Sequence, residues 1–496
     1  MASGSEDPLH WPGDPETVEW STNVRVIRFL FLCLIGLIVV LLLGWVAVNA
    51  IDEPLKEEAR ALRFPPQITP VPADENLYLA LLGRDAPHGE SPLDYGQAVI
   101  DQYEAKLPAR LGDPAVSLAP VLRSDVSLLT FRGKLDLASP GRANIWPGLE
   151  NRKQELEKLI EDNRELFDRY RAQLALTGYQ EVATPSPYEP FVFPTRELRS
   201  LFLAHVALRL KSNVVNEQKG ALDDLEHDIK TWHMMFAGSS GVLPKMLALF
   251  YIHGDDLLLA EMIADKTIKI DPLMPQLDRM TTPFELGDWK MGDSLPGEFR
   301  RNEIVLEQAE LMPVRILKTL YFDNRTDEGK VYDPPAAFWE PFARHFYKRN
   351  ATENLRAADM LQGIAYANLD PPALLPARQA YLNWRLDQNL LNLGLLDNPI
   401  GKVLLAEMVF SADVYVLRAY DGAAIQRLTK LAYEIRRQHV PADQIARFMQ
   451  QHPEWSTHPV SGKEYILSPD SESIAITPVS DRASDWLFSV PVWTGG

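Results

Sequence analysis

The stretch 241–268, GVLPKMLALFYIHGDDLLLAEMIADKTI, is too apolar for an exposed surface, yet it carries Lys245, Asp255 and Asp256. Its reading decides the fold. His253-Gly254-Asp255-Asp256 has the pattern of a helix C-cap followed by an N-cap, which predicts two helices, 241–253 and 255–268. A gap-free alignment relates GVLPKMLALFYIHGDDLLL to NPIGKVLLAEMVFSADVYV around Lys245 and Lys402. Each segment has a lysine in its first turn and an acid eleven residues later, Asp256 and Asp413. A cation in a first turn opposes the helix dipole by a few tenths to about 1 kcal/mol. Lys245 and Lys402 are therefore candidates for a buried polar partnership. The competing reading is coincidence between two Leu-rich helices.

Helical periodicity continues on both sides. LENRKQELEKLIEDNRELFDRYRAQLALTG (149–178) repeats apolar residues at three- and four-residue intervals and reads as one long helix ended by Gly178. Further helices are predicted at 93–107, 195–212, 217–238, 298–320, 352–369, 373–393, 399–420 and 421–439. ENLYLALLG (75–83) reads as a short buried helix with Gly83 at C′. Residues 270–297, rich in Pro and Gly, read as a long irregular segment. KEYILSPDSESIAITP (463–478) reads as a β-hairpin around the turn PDSE, and DWLFSVPVW (485–493) as a candidate further strand. The fold class is mainly α: a helical domain over 75–420, with a split into two sub-domains near 270–297 as an alternative, then 421–496 with C-terminal helices and a small β appendage.

Towards the N-terminus, FLFLCLIGLIVVLLLGWVAV (29–48) has no charge. About twenty residues at ~1.5 Å each span ~30 Å, the thickness of a bilayer's hydrocarbon core. Residues 29–50 are predicted to cross the membrane, with Phe29, Leu30, Cys33, Gly36, Val40, Gly44, Trp45 and Val48 in contact with lipid. The acidic tail 1–28 is too long for a secretory n-region, although Val48-Asn49-Ala50 keeps a cleaved signal as an alternative. Arg25 and Arg28 before the span, against Asp52 and Glu53 after it, place the N-terminus inside. Tail 1–28 then reads as disordered and cytoplasmic. Segment 51–74 reads as a Pro-rich spacer holding the domain away from the bilayer, with EPLKEEARALR (53–63) as a short helix at its start and FPPQITPVPADE as its polyproline-like part.

The chain has 496 residues, a formal net charge of −18 and one cysteine, Cys33. Spread acidity with no basic stripe excludes nucleic acid as a partner. A thiol-free domain suits an oxidising compartment and rules out thiol nucleophiles and Cys-based zinc sites. These points predict an inner-membrane protein whose domain lies in the periplasm.

The run Glu75–Gly83, the Trp232 helix followed by Leu243-Pro244-Lys245-Met246, and Pro399-Ile400-Gly401-Lys402-Val403-Leu404 resemble uncharacterised single-pass proteins of proteobacteria. That resemblance implies an inner-membrane anchor and a periplasmic domain, and implies no reaction. The end of the chain, a helix followed by HPVSGKEYILS, is similar to the ends of pseudopilins, but the pilin leader motif is missing.

Motifs for chemistry are weak. His227 and His233 are six residues apart and lie on different helix faces, unlike a zinc HExxH pair. Gly238-Ser239-Ser240-Gly241 lacks the nucleophile-elbow spacing and reads as a loop whose serines cap the next helix. His452 and His458, each before a proline, cluster in a loop. Sequons at Asn324 and Asn350 are near chance frequency. No cofactor, metal or catalytic residue is identified. The expectation is a non-catalytic envelope scaffold or binding protein, contacting lipid through 29–50 and an envelope protein through its domain. The alternative is a peptidoglycan-type hydrolase using carboxylates that sequence alone does not single out.

Overall fold

A computed structural model describes residues 17–65, 69–112, 128–134, 146, 148–190, 196–321, 336–387, 393–408, 411–480 and 489–494. The helices in chain order are α1 (Thr17–Asn49), α2 (Glu57–Arg63), α3 (Leu77–Leu82), α4 (Pro92–Gly112), α5 (Lys153–Asp162), α6 (Arg164–Gln173) and α7 (Arg196–Leu210). They continue with α8 (Val215–Gly238), α9 (Val242–Ala264), α10 (Met274–Met280), α11 (Leu295–Arg301), α12 (Glu303–Leu311), α13 (Pro313–Tyr321) and α14 (Ala336–Ala343). The last are α15 (Arg349–Ala367), α16 (Pro371–Asp387), α17 (Pro399–Glu407), α18 (Ala412–Arg437), α19 (Ile445–Gln451) and α20 (Pro453–Ser456).

Within the stretch 241–268 a single helix, α9, runs from Val242 to Ala264. His253-Gly254-Asp255-Asp256 lies inside α9 and caps nothing. Gly and Asp lower helix propensity by less than about 1 kcal/mol each. Burial of almost every α9 side chain outweighs that cost. A helix apolar all round belongs at the centre of a domain. Here α7, α8 and α18 pack around it.

Other expectations change for similar reasons. The predicted 149–178 helix breaks at Asn163 into α5 and α6 and stops at Gln173. Asn163 bonds both the N–H and the C=O of Arg132, at 2.7 and 2.9 Å, so its side chain serves a neighbouring loop. Gly83 has φ −95° and is no left-handed cap. Its role is steric: a Cβ there would lie 1.7 Å from Pro92 O, where α3 crosses α4. Residues 270–297 are ordered as α10 and three 3-10 turns, with Trp289 fully buried. α1 begins at Thr17, so helix extends into the part of the tail expected to be disordered. Its window Val24–Asn49 is long and apolar enough to cross a membrane and is 0% buried.

The boundary expected at 420/421 falls in the middle of α18. That position is the attachment point of the C-terminal appendage. β1 (Ile466–Leu467), β2 (Ser473–Ala475) and β3 (Ser489–Pro491) form an antiparallel sheet in the order β1-β2-β3. Register pairs Leu467 with Ile474, and Ile474 with Val490. Ile474 and Val490 then pack on the distal half of α18 with Leu428, Ile435 and Phe448.

Asp421, fully buried on α18, fastens this unit. Its Oδ1 accepts from His458 Nε2 at 3.0 Å and Val479 N at 2.8 Å, and its Oδ2 from Ser480 N at 3.1 Å and Ser480 Oγ at 2.5 Å. His458 Nδ1 accepts from Val460 N at 3.1 Å, which places the ring proton on Nε2. The histidine loop is thus a structural fastening. Asp421→Ala strands several buried donors and is expected to cost about 3–5 kcal/mol. Limited proteolysis should then release fragments cut just after α18, ahead of the helical core.

Candidate functional site

Two places gather polar groups in numbers that call for explanation: the interior around α9, and the end of α1.

In the interior, Arg199 on α7 has no solvent exposure and meets Asp228 on α8 and Asp255 on α9. One guanidinium nitrogen donates to Asp228 Oδ2 at 3.1 Å, to Tyr251 O at 2.8 Å, and to Asp255 Oδ1. Tyr170 Oη donates to Asp228 Oδ1 at 2.6 Å. The rings of Tyr251 and Trp232 flank the cation at 4.4 and 6.0 Å. Burial opposes the Arg199 charge, but Asp255 and Asp228 outweigh it and raise the basicity of Arg199. Burial lifts the Asp255 carboxyl well above its ordinary range against the pull of Arg199, and Asp228 pushes the same way. A proton on Asp255 leaves the cluster neutral, the least costly state in a dry interior.

Asp256 points away from this cluster, since consecutive helix residues diverge by about 100°. Neither carboxylate oxygen has a hydrogen-bond partner among the described residues. Burial alone pushes it up to about 8. Glu261, one and a half turns on, is pushed up to about 8 by burial against a bond from Trp146 N.

Lys245 is buried, and Lys402 is half-buried. Neither pairs with the acid eleven residues later. Lys245 Nζ donates to Phe236 O at 2.5 Å, at the C-terminal end of α8. Lys402 Nζ donates to Gly394 O at 2.5 Å and Asp397 O at 2.7 Å, at the end of a 3-10 turn. Each first-turn lysine satisfies orphan carbonyls of the preceding helical element, and the dipole of that element favours the cation. Burial brings Lys245 down to about 8, although Asp293 and Glu181 oppose the shift. The two segments diverge after this shared device, because 399–420 breaks between α17 and α18.

The serines of 238–241 do not cap α9. Its N-cap is Gly241, and Glu298 Oε1 accepts from Val242 N at 2.7 Å. Ser239 Oγ donates to Met235 O at 2.6 Å. Beside this loop Arg301 holds Glu189, Glu298 and Glu181. Burial raises Glu189 to about 7, with Arg301 opposing. The packing is close here: a Cβ on Gly297 would lie 1.7 Å from Ser240 O, and one on Gly241 2.0 Å from an Arg301 nitrogen. His227 is exposed, while His233 stacks on Phe284 at 3.6 Å. No group of three or more potential metal ligands occurs among the described residues. Asn324 lies outside the described residues, and Asn350 Nδ2 is engaged with Glu53 O at 2.9 Å.

A surface concavity of about 400 Å³ is lined by His88, Arg132, Glu161, Asp162 and Glu165. Its acids are spoken for. Arg164 pairs with Glu161 at 2.6 Å and Lys158 with Asp162 at 2.6 Å. Burial would raise Glu165, but bonds from His88 and Gly89 and the charge of Arg169 hold it below the usual carboxylate range. A glycosidase acid needs the opposite shift.

The second place is the end of α1. Asn49, buried in the last turn, donates through Nδ2 to Leu396 O at 2.8 Å and accepts at Oδ1 from Asn398 N at 2.7 Å. Asn398 has a left-handed φ of 49°, which asparagine tolerates better than most residues. Its side chain accepts from Lys348 N at 2.8 Å and donates to Thr352 Oγ1 at 2.9 Å. One turn earlier the Trp45 ring lies 4.4 Å from that of Phe346.

The described residues of 51–74 form no free spacer. Asp52 accepts from Asn350 N at 2.7 Å and Ala351 N at 3.1 Å, capping the start of α15. Asn354 binds Glu53, Pro54 and Lys56. Ala59 and Leu62 of α2 join the main core. Arg63 and Arg349 share Glu303, Glu307 and Glu353, at 2.8 to 3.6 Å. Further on, Val71 N donates to Gln180 at 2.8 Å. Signals for this docking were present in Asp52, Asn49 and Asn354, but their partners lie about 300 residues away in sequence.

No protein family, curated protein or solved structure matches this chain.

Asp256→Asn isolates one buried acid. The folded-state value of Asp256 is raised above the unfolded one, so its favourable contribution is complete below about pH 4 and is lost as pH rises towards 8. The variant should therefore gain stability relative to the parent over that interval, by about 2–5 kcal/mol at pH 8. Denaturant unfolding of the full chain in detergent at pH 5 and pH 8 reads the difference. An equal effect at both pH values would contradict the assignment.

Proposed function

We propose that this chain is a single-span inner-membrane protein that mounts a helical domain directly on the periplasmic face of the bilayer. There it binds or scaffolds another component of the cell envelope, without catalysis. The observation that carries this reading is the clamp of Asn49 and Trp45 onto the domain, followed by the docking of 52–63. A cleavable leader has no use for a buried asparagine that bonds Leu396 O and Asn398 N. The resemblance to single-pass proteobacterial proteins supports the same reading. So do the thiol-free domain and the engagement of its strongly shifted carboxylates in packing.

Topology is tested in spheroplasts on a Cys33→Ala background. A membrane-impermeant maleimide should label Lys158→Cys in intact spheroplasts, and His10→Cys only after lysis. The reverse pattern would overturn the orientation. Cleavage after Ala50 in cells would overturn the anchor. Crosslinking in intact cells should recover a defined envelope protein, whereas recovery of murein fragments would favour a hydrolase.

Asn49→Ala leaves Asn398 N and Leu396 O unpaired at a buried site and should cost about 1–3 kcal/mol. It should also open residues 50–57 to added protease in membranes, where the parent is protected.

A further inference from the structure

We infer that α14 and the surface beside it form a second, monotopic membrane contact, dipping into the outer leaflet of the bilayer that α1 crosses. The inference rests on the proposed reading of α1 as a membrane span.

The depth follows from the helix. If the apolar run 29–48 fills a hydrocarbon core of about 30 Å, Trp45 lies roughly 4–5 Å inside its outer boundary. Phe346 belongs to the domain, and its ring sits 4.4 Å from that of Trp45. The domain therefore reaches the level where acyl chains meet headgroups.

What lies beside Phe346 suits that level. Phe342 is 5.0 Å from Phe346, ring to ring, and is 53% exposed. Trp339 precedes it by one turn and is 50% exposed. Positions 339, 342 and 346 share one side at helical spacing. The opposite side of α14 is fixed: Glu340 is buried and accepts from Val314 N at 3.1 Å and Arg315 N at 3.0 Å, at the start of α13. Glu340 is thus turned inward, and Trp339 and Phe342 outward.

Two more exposed apolar residues are tied to the same place by hydrogen bonds. Leu396, 65% exposed, is held by Asn49 through its carbonyl. Leu311, 47% exposed, is held by Arg344 Nε through its carbonyl at 2.8 Å. Ile51, 75% exposed, lies two residues beyond Asn49. The nearby acids are engaged, Asp52 at the start of α15 and Asp397 with Lys348 at 2.6 Å. Arg344 and His345 remain exposed beside the aromatics. Exposed Trp and Phe flanked by basic residues, with the nearby acids paired, is the composition of an interfacial segment. Continuity with the end of α1 commits the surface to lipid, since Phe346, beside Phe342, sits against Trp45 at the depth the span gives to the outer leaflet.

The test uses the full chain with Cys33→Ala, carrying one spin-labelled cysteine at a time, in palmitoyl-oleoyl phosphatidylcholine vesicles. Collision with lipid-soluble oxygen is compared with collision with a water-soluble nickel chelate. Val40→Cys reports the span, Phe342→Cys the proposed contact, and Ile466→Cys the aqueous face. The expected result is a severalfold higher oxygen-to-nickel ratio at 342 than at 466, with 40 higher still. A Trp339→Cys label should agree with 342, which guards against a local effect of one substitution. A ratio at 342 equal to that at 466, with 40 still in lipid, would overturn the contact and leave the span intact. Shielding of 342 from both reagents would overturn it in favour of a protein cover. A nickel-dominated signal at 40 would remove the span itself, and the contact with it.

Discussion

α9 has almost no face left for water, and most of the architecture answers to that constraint. Its apolar side chains draw α7, α8 and α18 around it. Its charged residues enter with them and must be neutralised or paired, because an isolated charge in such a place costs several kcal/mol. Arg199 arrives from α7 to meet Asp255 and Asp228, and Tyr170 completes the bonding of Asp228. Lys245 turns back to the carbonyls that end α8. Two helix ends and three helix faces are thereby fixed in one register by groups that tolerate little displacement.

The same logic operates at the periphery with different residues. Asp421 serves the backbone of the C-terminal appendage, and Asn49 serves the junction of α1 with the domain. In both, one short polar side chain satisfies several groups distant in sequence. The strongly shifted carboxylates Asp255, Asp256 and Glu261 have burial as the first cause of their shift, so perturbed acidity in this protein reports burial. Perturbed groups become candidates for catalysis when they face a cleft. The charge at the concavity near His88 shows the reverse shift. The domain's functional surface is therefore better sought where it meets α1, under the proposed topology, than in its interior.

Much of the helical content was legible because apolar spacing at three and four residues survives any tertiary context. α8, α15 and the strands around Pro469–Glu472 lie close to their expected places. The misreadings have particular causes. Gly254 and two aspartates imitate a pair of caps, and only the burial of both flanks makes them continuous helix. Asn163 looks like an ordinary polar residue on a helix face, but the backbone of Arg132 claims its side chain. The prolines of 51–74 suggest a spacer, whereas Asp52 and Ala59 bind residues that no local pattern identifies. Lys245 and Lys402 stood out because a first-turn lysine opposes its own helix, though their partners were carbonyls and not acids.

The sequence by itself determined the helical class, the position of the apolar helix before residue 50, and the small C-terminal sheet. These depend on period, length and turn chemistry, which are local. Only the tertiary structure decided which acids are buried, what the two lysines serve, and that the segment after α1 is docked. Those outcomes depend on contacts between elements: the docking pairs lie about 300 residues apart, and each lysine reaches back across a turn to the end of the preceding helical element.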